Sequence, residues 1–325
     1  MRFLVFSDLQ ANNWPQHSHL TAAGTNSRLE HCLSVFPAMK KYAAENKIGY
    51  VFFGGDLVEQ IGAQETEVMA RLHTEFRNLG VMTLGIPGNH ERAAEDLSGG
   101  LHAMTGFSSP MVKVFDTPQF RQFPERAGVA FIPWQPTQEK FLDALGKMRQ
   151  EAWEFKCGSS RPKCVLVAHQ AFRGGIVTAE GYRVEDEIDL TDADLEPFDL
   201  VLLGHLHRHC KIDRYQTPVY QIGAPLHHTR GDRGDPRRGF LDIELNENEL
   251  TVTRVPLEGT PLFMEEVLDS RLKAEYVLSD PDTYRGNFLY LVPMTSKLSR
   301  QDLAPAGIRE LTGAAAAVVD WNRQP

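Results

Sequence analysis

The sequence predicts an α/β protein made of layered sheets and helices. Early in the chain, short apolar runs typical of buried strands alternate with longer segments in which apolar residues recur at helical spacing. Later, around residues 218–255, strand-like segments follow one another with only turns between them. Alternation early and consecutive strands late are typical of a layered α/β sandwich.

The predicted strands are short runs rich in Val, Leu, Ile and Phe, a composition typical of strands buried on both faces. In chain order they are Arg2–Phe6, Tyr50–Phe53, Val81–Ile86, Gly128–Ile132, Lys163–Ala168, Asp199–Leu203, Pro218–Ile222, Gly239–Leu245 and Glu249–Val255. Asn246–Asn248 predicts a tight turn before the last of them. Glu91–Pro118 lacks periodicity and predicts a long loop, which inside a compact domain is usually functional or mobile.

Three helices are predicted between these strands. Ser27–Asn46 has apolar residues at helical spacing, and Pro37 is expected to kink this helix or split it. Ala63–Leu79 is amphipathic, with Gly80 at a position where helices commonly end. Gln138–Phe155 is the third predicted helix.

The chain of 325 residues is long enough for about two domains. We predict a boundary near Glu258–Pro261, which gives a domain of residues 1–258 and a second of residues 259–325. The second is predicted to be a small β-α-β unit, with a strand at Asn287–Pro293, a helix at Ser299–Leu311 and a strand at Ala315–Trp321.

Composition narrows the classes of function. The chain is 42% hydrophobic and 24% charged, which is ordinary for a globular protein, and no run of about 18 apolar residues predicts a membrane span. Four cysteines without paired spacing, and an N-terminus too short for a signal-peptide core, favour the cytoplasm. A net charge of −9 argues against general nucleic-acid binding, although a local basic path is compatible with it.

Polar side chains follow five of the predicted strands at the point where each strand ends. In open α/β sheets ligands collect outside the carboxyl ends of the strands, so these side chains are expected along one edge of one sheet. Carboxylates, amides and imidazoles are ligands for divalent metals. In chain order the residues are Asp8, Gln10, Asp56, Asn89, His90, His169, His205 and His207. The sequence therefore predicts a binuclear metal site.

Each residue of this set is weak by itself, because an Asp after a strand is most often a cap or a turn former. The prediction rests on the five clusters together. Asp56, preceded by two glycines that permit close backbone approach, is the natural bridging ligand, since its two oxygens can reach two ions. Two divalent ions roughly 3.5–4 Å apart can hold the attacking and leaving oxygens of a phosphate ester.

The order of the motifs resembles the calcineurin-like metallophosphoesterase family. This sequence has D-x-Q, G-D, G-N-H-E, H and G-H-x-H, and the usual family pattern is D-x-H, G-D-x-x-x, G-N-H-[DE], H and G-H-x-H. The match covers about residues 1–245. The resemblance implies a four-layer metallophosphoesterase sandwich, with two mixed β-sheets flanked by helices, and a small α+β capping domain.

The resemblance also implies roles for the residues. One metal would be held by Asp8, Gln10, Asp56 and His207, and the other by Asp56, Asn89, His169 and His205. The expected ions are two divalent metals, Mn²⁺ or alternatively Mg²⁺, with a metal-bound hydroxide as the nucleophile. His90 resembles the residue that protonates the leaving oxygen or stabilises charge at phosphorus; the alternative is a residue that only orients Asp8.

Gln10 departs from the family, which usually has His at this position. A Gln carbonyl oxygen can bind Mn²⁺ or Mg²⁺ but is a weaker partner for borderline metals. The first metal site is therefore expected to be looser than usual.

The flanking sequence is similar to SbcD-type DNA-repair nucleases and their phage relatives. The similarity lies in Phe6–Leu9 with Asn26–Leu29, in Pro218–Pro225, and in the tail from about Pro261. It implies a Mn²⁺-dependent DNA exonuclease or endonuclease in a bacterial or phage-infected cell, a homodimer, and an SMC-like ATPase partner of SbcC type. The alternatives are a small-molecule phosphodiesterase or phosphatase, and a DNA-binding subunit whose activity Gln10 has weakened.

Candidate DNA contacts are aromatic and basic residues in two loops. They are Trp14, His17, Arg28, Arg230, Arg233 and Arg237. The alternative for each is an ordinary surface or packing role.

Overall fold

A computed structural model of the chain describes residues 1–92, 102–158, 162–177, 181–183, 187–246 and 249–323. Part of the predicted loop Glu91–Pro118 and most of the predicted turn Asn246–Asn248 lie outside these residues. The chain divides into two compact units. Unit 1 consists of Met1–Asn12, Cys32–Pro225 and Arg237–Leu257, and unit 2 of Asn13–His31, Leu226–Pro236 and Glu258–Pro325.

The strands, in chain order, are β1 (Arg2–Phe6), β2 (Tyr50–Phe53), β3 (Met82–Gly85), β4 (Val112–Val114), β5 (Gln119–Phe123), β6 (Ala127–Ile132), β7 (Lys163–His169), β8 (Leu200–Gly204), β9 (Cys210–Lys211), β10 (Val219–Gln221), β11 (Gly239–Leu245), β12 (Leu250–Pro256), β13 (Phe263–Leu268), β14 (Phe288–Pro293) and β15 (Ala316–Val319). The helices are α1 (Ser27–Leu33), α2 (Val35–Asn46), α3 (Thr66–Asn78), α4 (Gln138–Gly158), α5 (Asp192–Leu195), α6 (Arg271–Leu278), α7 (Pro281–Tyr284) and α8 (Pro305–Thr312). None of the helices in the described part of the chain has the length and apolar character needed to cross a bilayer.

Unit 1 contains two mixed sheets. The first has the order β12-β11-β1-β2-β3-β4, in which β1 to β4 are parallel and β11 is antiparallel to both of its neighbours. The second has the order β5-β6-β7-β8-β10-β9, in which β6, β7, β8 and β10 are parallel. In both sheets the parallel strands end beside one another, so the residues that follow them are neighbours.

The two sheets pack face to face, and helices cover the outer faces. Successive residues of a strand point to opposite sides. Phe3 and Phe52 therefore join the core between the sheets, where the Phe52 and Phe131 ring centroids are 5.4 Å apart. On the outer face of the first sheet, Phe6 packs edge-on against Phe36 of α2. Phe141 of α4 belongs to the core on the outer face of the second sheet. The predicted four-layer sandwich is confirmed.

The predicted helix Ser27–Asn46 is two helices, α1 and α2, which separate at Ser34 rather than at Pro37. Pro37 lies in the first turn of α2, where backbone N–H groups have no acceptor within the helix. A proline therefore removes no helical hydrogen bond at that position. The sequence pattern indicated a break but not its place.

Unit 2 contains a parallel sheet of order β13-β14-β15. Its core includes Leu268, Val277, Leu289, Leu291 and Ile308. β14, α8 and β15 correspond to the predicted strand, helix and strand, but α8 begins at Pro305 rather than at Ser299. A proline is favoured in the first turn of a helix and cannot continue a helix from before it without loss of a hydrogen bond.

Candidate metal centre

The residues predicted to bind metal come from the ends of strands in both sheets of unit 1, not from one sheet as expected. Asp8 and Asp56 follow β1 and β2 of the first sheet, whereas His169 ends β7 and His205 follows β8 of the second. The reason is the face-to-face packing of the sandwich. It brings the carboxyl ends of the parallel strands of both sheets to a common centre.

Four of the predicted ligands converge most tightly. Asp56, His169 and His205 each present a ligand atom, and these atoms lie within 4.8 Å of one another. The side-chain oxygen of Asn89 is 3.1 Å from Nε2 of His169 and 2.9 Å from Nδ1 of His205. These four are the set that the resemblance assigns to one metal ion. Carboxylate, amide and imidazole donors around one point fit a divalent cation.

Asp8, Gln10 and His207 adjoin this group. Both oxygens of the Asp8 carboxylate accept the backbone N–H of His205, at 3.0 and 3.1 Å. The backbone N–H of Gln10 donates to the carbonyl of Asp56 at 3.0 Å, and the Gln10 side chain is buried. His207 is half-buried. Burial raises the pKa of Asp8, although His169 and His207 lower it electrostatically.

The backbone of the centre has an uncommon conformation. Asp8, Gln10, Asp56 and His205 have φ values of 56°, 47°, 53° and 88°. They make up four of the seven non-glycine residues with positive φ in the described part of the chain. Residues other than glycine rarely adopt positive φ values, and backbone strain of this kind concentrates at functional sites.

Two glycines make room for the ligands. A Cβ atom on Gly88 would overlap the Asp56 carboxylate and lie 2.7 Å from Cε1 of His169. A Cβ atom on Gly204 would lie 2.7 Å from Nδ1 of His169. Both glycines occur in the motifs G-N-H-E and G-H-x-H, so the sequence contained the signal, but its spacing alone did not indicate which side chain each glycine accommodates.

The imidazole ring of His169 is held by the backbone through one of its nitrogens. Its Nδ1 donates to the carbonyl of Gly54 at 2.5 Å, which leaves Nε2 facing Asp56 at 3.3 Å. Burial alone would lower the pKa of His169, but Asp56 and Asp8 outweigh it and raise that pKa to about 9. The carboxylates thus favour a positive charge at this point, which a metal ion also provides.

The pKa values of Asp56 and His205 are also shifted by their surroundings. Burial opposes ionisation of Asp56, but His169 holds the pKa of that carboxyl below its usual value. Burial and the neighbouring His169 lower the pKa of His205 to about 4, so that imidazole is neutral near pH 7. A neutral imidazole is the form that binds metal.

His90 lies beside Asp56. Its backbone N–H donates to Oδ1 of Asp56 at 3.0 Å, and its Nε2 is 3.8 Å from Oδ2 of the same carboxylate. Nδ1 is hydrogen-bonded to the carbonyl of Glu59, which fixes the ring. Burial lowers the pKa of His90, but Asp56 and Glu59 together more than compensate, so that the pKa is raised.

Glu91 is a residue of the centre to which the sequence assigned no role. Its buried carboxylate accepts the backbone N–H groups of Gly88 at 2.6 Å, Asp56 at 2.9 Å and Val58 at 3.1 Å. It therefore ties the loop after β2 to the loop after β3. Burial, together with repulsion from Asp56, raises the pKa of Glu91 to about 7. The G-N-H-E motif was the available signal.

The candidate DNA contacts fall in different units. Trp14, His17, Arg28, Arg230 and Arg233 belong to unit 2, whereas Arg237 is an exposed residue of unit 1. The structure therefore does not group all six in one unit.

Within unit 2, several of these side chains take part in packing. Arg28 is buried, donates to the carbonyl of His228 at 2.9 Å, and lies 5.2 Å from the ring centroid of Trp14. Nε2 of His17 is 2.7 Å from the hydroxyl of Tyr290.

The loop arginines of unit 2 pair with acidic residues. Arg230 binds Glu265 at 2.5 Å and Asp320 at 3.3 Å, and Arg233 lies 3.6 Å from Glu265. These pairs offset the local positive charge on which the predicted DNA path relied.

Comparison with known proteins gave a family match. Residues 1–209 match the family described as calcineurin-like phosphoesterase. The search of curated proteins found no match.

Solved structures were also compared. The chain is 8% identical to a dimetal phosphatase from Danio rerio, with 75% of this chain and 92% of that chain covered and a TM-score of 0.47. It is 10% identical to GAP50, described as the anchor in the inner membrane complex of Plasmodium, with 80% and 90% covered and a TM-score of 0.42. It is 11% identical to a predicted phosphoesterase from Streptococcus pneumoniae, with 80% and 94% covered and a TM-score of 0.31.

Proposed function

Because this chain belongs to the calcineurin-like phosphoesterase family, we propose that it is a metal-dependent phosphodiesterase that cleaves DNA, as an exonuclease or endonuclease of SbcD type. The observation that carries the phosphoesterase assignment is the convergence of Asp56, His169 and His205 within 4.8 Å, with Asn89 beside them. The DNA substrate is supported by the flanking sequence and by the exposed Arg237.

Seven residues would hold two divalent ions. Asp56, Asn89, His169 and His205 form one set, and Asp8, Gln10, His207 and again Asp56 form the other. When bound, such ions polarise the phosphoryl group and lower the pKa of water. Mn²⁺ is the ion that we propose, with Mg²⁺ as the alternative, because both accept the oxygen ligand that Gln10 offers.

The proton for the leaving oxygen comes from His90. The bond from Nδ1 to the Glu59 carbonyl uses one N–H of the imidazolium, so the second N–H, on Nε2, remains to be donated. Asp56 favours the charged ring, which keeps that proton in place until the ester bond breaks.

A small-molecule phosphodiesterase is the second candidate, and two observations favour it. Arg28, Arg230 and Arg233 are occupied by contacts within unit 2. A cavity of about 420 Å³ opens beside Asn89 and His205, which is the size of a small-ligand site.

A homodimer and an SMC-like ATPase partner stay predictions of the sequence resemblance.

One assay separates the two candidates. Purified protein with Mn²⁺ is given linear DNA, bis-p-nitrophenyl phosphate and mononucleotides, with Asp56→Asn as the inactive control. Cleavage of DNA that is lost in the control supports the nuclease. Turnover of the small esters alone would overturn the nuclease in favour of the second candidate.

A further inference from the structure

We propose that the cavity beside the metal centre binds the nucleoside that is attached to the scissile phosphate. This inference rests on the proposed phosphodiesterase function and specifies its substrate class. The cavity, of about 420 Å³, lies in unit 1. Its lining includes Asn89, His205, Arg92, Trp134, Gln135 and Gln170.

The position of the cavity relates it to the reacting phosphate. Asn89 and His205 line the cavity, and they also belong to the converging metal donors. A phosphate ester held at those donors therefore has this cavity next to one of its ester groups. The volume lies at the lower end of the range of roughly 300–1,000 Å³ for ligand pockets, which suits one nucleoside rather than a stretch of strand.

Arg92 and Trp134 adjoin each other in the lining of the cavity. The guanidinium carbon of Arg92 is 3.6 Å from the ring centroid of Trp134, so the two groups are in contact. Nε of Arg92 donates to the Asn89 carbonyl at 2.8 Å, which anchors the guanidinium. Nucleobases stack on aromatic rings and on arginine planes. The two side chains thus offer a base the kind of surface on which it packs.

The rest of the lining selects a neutral, hydrogen-bonding group. Gln135, Gln138 and Gln170 contribute carboxamides, and Thr137 contributes a hydroxyl. A carboxamide both donates and accepts hydrogen bonds, as the edge of a base does. Glu187, also in the lining, opposes the positive charge of Arg92, which is the one arginine or lysine among the described lining residues. This balance disfavours a second phosphate or a polyphosphate in the cavity and favours a nucleoside.

The test uses two diesters with the same leaving group, thymidine 5′-(p-nitrophenyl phosphate) and methyl p-nitrophenyl phosphate. In the wild-type protein with Mn²⁺, kcat/KM is expected to be higher for the thymidine ester, chiefly through a lower KM. Trp134→Leu should lower the ratio of the two kcat/KM values about tenfold, because it removes the aromatic ring on which the base stacks. The matched control is Trp153→Leu, because Trp153 is an exposed tryptophan of α4. This control should leave the ratio unchanged.

A second measurement does not require turnover. Saturation-transfer NMR with thymidine, on protein in EDTA, should show binding to the wild type and to Trp153→Leu, and loss of binding in Trp134→Leu. An equal fall of both kcat/KM values in Trp134→Leu, or no thymidine signal in the wild type, would overturn the nucleoside site. If neither ester is hydrolysed, the proposed phosphodiesterase function fails, and the thymidine measurement still decides the site.

Discussion

Oδ2 of Asp56 and Nε2 of His169 lie 3.3 Å apart, although Asp56 follows a strand of the first sheet and His169 ends a strand of the second. This relationship places the candidate metal centre where the two sheets of the sandwich meet. A divalent ion bound there would connect the sheets as well as serve catalysis. Substitutions at the centre should therefore affect stability and metal affinity together.

Gln10→His should tighten metal binding by about tenfold at the site formed by Asp8, residue 10, Asp56 and His207. An imidazole is a better ligand than an amide for borderline metals. Phosphodiesterase activity at limiting Mn²⁺ should rise with it. Isothermal titration with Mn²⁺ and Zn²⁺ measures the change, with Gln122→His on the exposed face of β5 as the control. Equal metal affinity in Gln10→His and wild type would contradict the proposal that residue 10 is a ligand.

His90→Asn should reduce kcat for DNA or another alkyl ester roughly 100- to 10,000-fold, the usual contribution of a general acid. The loss should be much smaller for p-nitrophenyl esters, because p-nitrophenolate leaves without a proton. Metal affinity, followed in the same titration, should change little. Equal losses with both leaving groups would instead assign the His90 side chain a role in orienting Asp56, whose Oδ2 lies 3.8 Å from Nε2 of His90.

Gly88→Ala should destabilise the protein by about 1–3 kcal/mol and weaken metal binding, because the added Cβ overlaps the Asp56 carboxylate. Gly106→Ala is the matched control, since a Cβ at Gly106 meets no atom within 4 Å. Thermal unfolding with and without Mn²⁺ separates the two effects. If Gly88→Ala changes stability and metal binding no more than Gly106→Ala does, the loop of Gly88 does not approach Asp56 as closely as described.

Arg28→Ala should destabilise unit 2 by about 2 kcal/mol, because it removes a buried side chain that packs on Trp14 and hydrogen-bonds His228. Arg237→Ala, at an exposed position, should leave stability within about 0.5 kcal/mol. If Arg237 contacts DNA, Arg237→Ala should also weaken DNA binding and reduce the salt dependence of that binding. Unfolding curves and DNA titrations at two salt concentrations test both. An Arg28→Ala protein of wild-type stability would contradict the packing role.

The strands and the positions of the ligands could be predicted because they depend on local sequence. β1, β2 and β7 are continuous apolar runs, and Asp8, Asp56 and His169 follow or end them. The meeting of ligands from two sheets could not be predicted in this way. It depends on how the sheets pack, which no single run encodes.

Two of the strands that were not predicted have mixed composition. β5, with sequence QFRQF, and β13, with sequence FMEEVL, carry charged residues and lie at the edges of their sheets. Edge strands tolerate such residues because one side of each is not paired. Their placement depends on the strands with which they pair, β6 for β5 and β14 for β13.

The surroundings of the site were the least predictable part. Arg92 and Trp134 are distant in sequence, and only the fold brings the guanidinium onto the ring. The charge of Arg28 is visible in the sequence, but its burial among aromatic rings in unit 2 is not. Glu91 lay within a recognised motif, yet its three backbone hydrogen bonds depend on the loop conformation.

Anomalous diffraction from crystals soaked in Mn²⁺ tests the central claim most directly. Two peaks are expected close together, one within ligand distance of Asp56, Asn89, His169 and His205, and the other near Asp8, Gln10 and His207, with Asp56 shared. The second peak should be weaker at low Mn²⁺ in the wild type and restored in Gln10→His. No peak at the strand ends, or Mn²⁺ bound elsewhere in the chain, would contradict the account.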